Sequence, residues 1–107
     1  MVDSMILNTN TYTIEVSDTS GSVVLSTTDA AQTNLVIYNG SDVAAFVVSG
    51  IASATAVLPT AETPALGKMI APGATVSFTK PMAHNAIAAI QPSAGTGNLY
   101  ISTGIGV

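Results

Sequence analysis

The sequence contains no cysteine, no tryptophan and no arginine, and its 107 residues carry only two bases, Lys68 and Lys80. Without thiols there is no disulfide to staple the fold and no thiolate to hold zinc. The single histidine, His84, and six scattered carboxylates, Asp3, Glu15, Asp18, Asp29, Asp42 and Glu62, form no ligand-spaced set, so no metal is expected. Binding to phosphate backbones needs clustered Lys and Arg, which a chain with two bases and a net charge of −4 lacks; nucleic acid is excluded as a partner. Charged residues make up 7% of the chain, against about a quarter in ordinary soluble domains. A surface so poorly solvated is expected to be covered in part by a partner.

Length allows one core and one domain, residues 1–107, with residues 1–10 as a candidate extended arm. Cross-links and metals being absent, oligomerisation is the remaining way to add stability. Mean hydropathy is +0.54, and the uncharged stretch 43–61 is about long enough to span a bilayer. Ser49, Gly50, Ser53, Thr55 and Pro59 dilute it and no basic cluster flanks it, so no membrane partner is expected. Residues 1–10 carry Asp3, no base and only the short apolar run Met5, Ile6, Leu7; they do not read as a secretory signal, and the chain is expected to stay where it is made.

Hydrophobic alternation then argues for strands. Tyr12, Ile14 and Val16 alternate with Thr13 and Glu15, and Val23 to Leu25 follow a turn around Gly21. Residues 27–32 read as a loop and 33–38 as a strand. Asn39-Gly40 is the dipeptide suited to positive φ in a tight hairpin, which makes residues 43–48 its return strand. Residues 50–65 loosen into Ala, Thr and Ser: 55–58 is a candidate strand, 59–67 a loop, and Gly50, Thr55, Val57 and Pro59 weaken any helix. Residues 68–70 form a short strand, and Ala71-Pro72-Gly73-Ala74 a type II turn with Gly73 at positive φ. Val76 and Phe78 alternate with polar residues; 81–85 and 92–97 are turns, 86–90 and 98–103 strands, with Leu99 and Ile101 inward and Tyr100 and Ser102 outward. The fold class is therefore all-β, an antiparallel β-sandwich of jelly-roll or immunoglobulin type. Its predicted core is Ile14, Leu35, Ile37, Val76, Phe78, Leu99 and Ile101.

Chemistry is sparse. His84 sits in the turn 81–85 with no sequence neighbour that gives it a catalytic role. Asp18, Asp29 and Asp42 flank turns, where acids bond backbone amides. Gly21, Gly95-Thr96-Gly97 and Gly104-Ile105-Gly106 open no helix and carry no following Lys, so they cradle no phosphate. Asn39-Gly40-Ser41 matches a glycosylation acceptor but reads as a turn. No catalytic, cofactor-binding or metal-binding residue is assigned, no cofactor is expected, and the chain is not expected to be an enzyme.

Several segments in order carry a resemblance: Tyr38-Asn39-Gly40-Ser41 leading into 43–48, then 70–78 (IAPGATVSF), Ile87-Ala88-Ala89-Ile90, and 95–104 (GTGNLYISTG). This order resembles small head proteins of tailed phages, called decoration, cement or auxiliary capsid proteins, over residues 33–107; residues 1–32 and 51–66 have no counterpart. The resemblance implies a structural virion protein on the capsid surface, assembled in the host cytoplasm. Its partners would be the major capsid protein and sister copies, most often as a homotrimer, and it would need no cofactor. A carbohydrate- or cell-surface-binding sandwich is the alternative. Such sites favour exposed aromatic platforms, and of Tyr12, Tyr38 and Tyr100 at least one should be core.

Overall fold

A computed structural model describes residues 10–93 and 95–104. Its strands are β1 (Thr11–Glu15), β2 (Gly21–Val24), β3 (Asn34–Asn39), β4 (Ala45–Gly50), β5 (Lys68–Ile70), β6 (Thr75–Thr79), β7 (Ala86–Ile90) and β8 (Asn98–Gly104), with one helical turn, α1 (Thr27–Ala30), between β2 and β3. They form two four-stranded sheets, ordered β1-β8-β3-β6 and β2-β7-β4-β5, and every pairing is antiparallel. The fold is the expected β-sandwich. Partners β1·β8, β2·β7, β3·β6 and β4·β5 nest inside one another, and every connection except β4 to β5 crosses between sheets. That is a long hairpin rolled up, the jelly-roll pattern. The candidate arm lies outside the described residues except for Asn10.

Period-two patterning places the core. On the inner face of the first sheet Tyr12, Ile101, Ile37 and Val76 form one cross-strand row, and Ile14 pairs with Leu99. Ile14, Leu35, Ile37, Leu99 and Ile101 are buried as expected, whereas Val76 and Phe78 are only partly buried, because β6 is an edge strand and its inner side chains lie at the rim. The second sheet contributes Ala45, Val47, Ile70, Ile87 and Ala89.

Four local expectations need correction. Asn39-Gly40 is not a hairpin turn: β3 and β4 lie in different sheets, so the dipeptide begins a corner, and Gly40 is not among the residues at positive φ. Asn39 is fully buried and pins that corner, its Nδ2 donating to the carbonyls of Val43 (3.0 Å) and Ile70 (2.9 Å). Ser41 donates to Asn39 Oδ1 (2.6 Å) and accepts from Gln91 Nε2 (2.7 Å), which extends the polar pin to the end of β7. Gly40 is needed for space instead, since a Cβ there would sit 3.1 Å from both the Tyr38 and Tyr100 rings and 3.0 Å from the Asn98 carbonyl. Second, the loop at 27–32 contains α1, capped by Ser26, whose side chain accepts from the Asp29 amide (3.3 Å). Third, residues 55–58 form no strand. They belong to a strap over the outer face of the second sheet, where Ala54, Ala56 and Leu58 pack on Phe46, Val48, Ala88 and Ile90. Ser20 Oγ accepts from the Ala56 amide (2.9 Å) and Asn85 Oδ1 from the Ala52 amide (2.7 Å), fixing the strap at two points. Fourth, three strands shift their starts, β2 to Gly21, β3 to Asn34 and β4 to Ala45.

The type II turn holds: Gly73 has φ 74° and the Ala74 amide donates to Ala71 O (3.1 Å). Residues 43–61 are divided between β4 and the strap, and among the described residues no helix is long and apolar enough to cross a membrane.

Candidate functional site

The strap covers the second sheet, whereas among the described residues nothing covers the outer face of β1-β8-β3-β6. Its cross-strand rows run Thr13, Tyr100, Tyr38, Thr75 and Thr11, Ser102, Val36, Ser77. Glu15 is the only charged residue in these four strands. At the centre Tyr38 and Tyr100 stack with ring centroids 6.2 Å apart and planes 17° from parallel, and both remain about two-fifths exposed. Such offset stacking suits the ring quadrupoles. Gly40 leaves room for both rings. Tyr12, the third tyrosine, packs against the core instead.

A second feature is a cleft of about 290 Å³ between the sheets at the β5–β6 edge. Its walls are Leu35, Ile37 and Phe78 from one sheet and Val47 and Ile87 from the other, with Lys68, Lys80 and His84 also lining it. Lys68 pairs with Val47, so both point to the inner face; Lys80 follows Phe78 by two residues and points inward from the opposite sheet. Lys80 is 4% exposed, and its ammonium donates to the carbonyls of Ala30 (2.6 Å) and Pro81 (3.4 Å), neither of them a carboxylate. Burial pushes its pKa below the ordinary 10.5. His84 Nδ1 lies 2.6 Å from Ser49 Oγ. That is nucleophile-to-base distance, but among the described residues no carboxylate bonds the ring's other nitrogen to orient it.

The carboxylates that flank turns go to separate places. Asp18 is exposed, and Asp42 Oδ1 accepts from the Thr96 amide (2.7 Å), so the Gly95-Thr96-Gly97 loop is closed on an acid and offers no phosphate cradle. Asp29, within α1, is buried at 2% exposure, and Tyr12 Oη and Asn10 Nδ2 (3.0 Å) donate to its carboxylate. The Tyr12 hydrogen bond is the main cause that holds its pKa below the ordinary value, with Asn10 and Ser26 assisting against burial. Ile105 and Gly106 lie outside the described residues. The Asn39 side chain, with no exposed surface, is closed to glycosylation in the folded chain. Among the described residues no three His, Asp or Glu side chains gather.

Alternation already placed Tyr100 outward. The Tyr38 pairing and the two cleft lysines were missed because both depend on how distant strands are brought together. The fold is a small jelly-roll domain with one sheet face uncovered among the described residues. Compared with family models, with curated proteins and with solved structures, the chain matches none.

Proposed function

We propose that the chain is a structural virion protein, a capsid decoration or cement protein that binds the major capsid protein of a tailed phage and associates with its own copies, as a trimer, on the capsid surface. The observation that carries this reading is the open sheet face, rich in Thr and Ser and bearing one charged residue, Glu15, in its four strands. Burying such a face gains about 25 cal/mol per Å² of apolar area before association costs are subtracted, with almost no charge to desolvate. Exposed Leu66, Met69, Ile51 and Met82 add apolar surface away from it. Jelly rolls recur in viral capsids, though a fold alone assigns no function. We read the Ser49–His84 pair as structural, so the chain is proposed not to be an enzyme.

The exposed Tyr38–Tyr100 pair favours one other reading, a carbohydrate-binding face. Pelleting the purified chain with preformed phage shells from its source separates the two. Retention on shells, lost in a Tyr38→Glu/Tyr100→Glu variant that still melts cooperatively, supports the virion reading. No retention, together with saturable binding to a glycan panel through the same tyrosines, would replace it.

A further inference from the structure

We infer that the cleft between β5 and β6 is a binding site for a small alkyl carboxylate, its chain held between the sheets and its headgroup met by Lys68 and Lys80. The inference stands apart from the proposed function, since it concerns the sandwich edge and not the open face.

Charge placement is the first argument. The chain has six acids, two lysines and one histidine, yet all three basic residues line this one cleft and, among the described residues, no acid lines it. The two lysines approach the cleft from opposite sheets, so two like charges border one apolar gap, an arrangement that an anion between them relieves. An inward lysine on an edge strand also deters edge-to-edge pairing, and that is sufficient reason for Lys68 taken alone. It does not explain Lys80, which lies beyond the end of β6, is almost fully buried and has no counter-ion among the described residues. An ammonium has three N–H donors; two are used on the carbonyls of Ala30 and Pro81, and the third has no acceptor among the described residues.

The second argument is shape. The partly buried Phe78 and the exposed Leu66 wall the cleft over a floor of buried Leu35, Ile37, Val47 and Ile87, and 290 Å³ is just below the roughly 300–1,000 Å³ typical of ligand sites. One alkyl chain fits that space better than a peptide with its obligatory backbone donors and acceptors. An apolar body with one carboxylate matches the lining and the charge together.

The test is calorimetric titration of the full chain with decanoate, decanol and decylamine, which share an alkyl tail and differ in headgroup charge. Decanoate is expected to bind one to one, at least tenfold more tightly than decanol, with decylamine not binding. Lys80→Met keeps the side-chain length and should bring decanoate down to the affinity of decanol. Lys68→Gln, at an exposed edge position that folding does not depend on, should weaken decanoate several-fold and leave decanol unchanged. Equal affinities for decanoate and decanol, no binding by millimolar decanoate, or an unaltered decanoate affinity in Lys68→Gln would each overturn the inference. So would tighter binding of acetyl-Leu-Leu, whose free carboxylate would make the occupant a peptide terminus.

Discussion

Single side chains in this protein have different weights according to which sheet edge they approach. Ile37 sits on interior strand β3 with no exposed surface, so Ile37→Ala is expected to cost about 3–5 kcal/mol in chemical denaturation. Phe78, partly buried on β6, should cost less on truncation to Ala, about 1–3 kcal/mol, because much of its ring already meets solvent or the cleft. A larger loss at Phe78 than at Ile37 would place the core elsewhere. The two turn glycines separate in the same way. Gly73 needs only a positive φ and its Cβ would meet nothing within 4 Å, so Gly73→Asn should be nearly neutral, whereas Gly40→Asn should be clearly destabilising by forcing the tyrosine rings apart. Thermal melts and near-ultraviolet dichroism of the tyrosines read both. Asp29 gives a pH signature. Its folded pKa lies below 3.8, so the unfolded chain takes up the proton first as pH falls. Its stabilisation is complete above about pH 4 and is lost as pH drops through the folded value. Asp29→Asn should lower stability at neutral pH and flatten the acid limb of the stability curve; an unchanged limb would contradict the buried hydrogen bonds.

At the level of elements, the strands of the first sheet were legible because one face of each is wet, and the buried 86–90 from the turns that bound it. Residues 68–70 and 86–90 were placed to the residue, and Ile14, Leu99 and Ile101 point inward as alternation requires. What alternation could not show is which strands are neighbours. Asn39-Gly40 carries a hairpin signal, but nothing local distinguishes a hairpin from a sheet-crossing corner, and the buried bonds from Asn39 to Ile70 reach 31 positions along the chain. The strap was illegible for a related reason. Alanine and serine have no strong period, and the all-buried Ala86–Ile90 makes sense only once something covers the second face of β7. The cleft was hidden as well, since Lys68 and Lys80 reach one cleft only through the packing of the two sheets. The strap predicts a local effect. Ala56 is 4% exposed, so Ala56→Asp should cost about 1–3 kcal/mol and raise amide exchange in β7 and β4 first. Uniform exchange across both sheets would mean that the strap is not a separate layer.

The whole molecule is a roll whose first strand pairs with its last: Thr11 opposes Ser102. Long-range closures of this kind put the entropy loss before the contacts that repay it, so folding is expected in about milliseconds to seconds, slower than helical domains of this size. Stopped-flow refolding that finished within microseconds would be incompatible with the topology. The roll also leaves one sheet face uncovered among the described residues. The strap closes the second sheet, while the first presents Thr, Ser and two tyrosines with a single charge in its strands, and eight charged side chains in all serve the chain. Association through that face should be insensitive to salt, since an apolar contact holds or tightens as ions are added and an electrostatic one weakens as the Debye length falls to about 3 Å at 1 M. Sedimentation velocity at micromolar concentration, in low salt and in 1 M salt, tests this most directly. The expected result is a discrete trimer in both buffers that Tyr38→Glu/Tyr100→Glu converts to folded monomer. A monodisperse wild-type monomer in both buffers, or a trimer that dissociates as salt is raised, would contradict it.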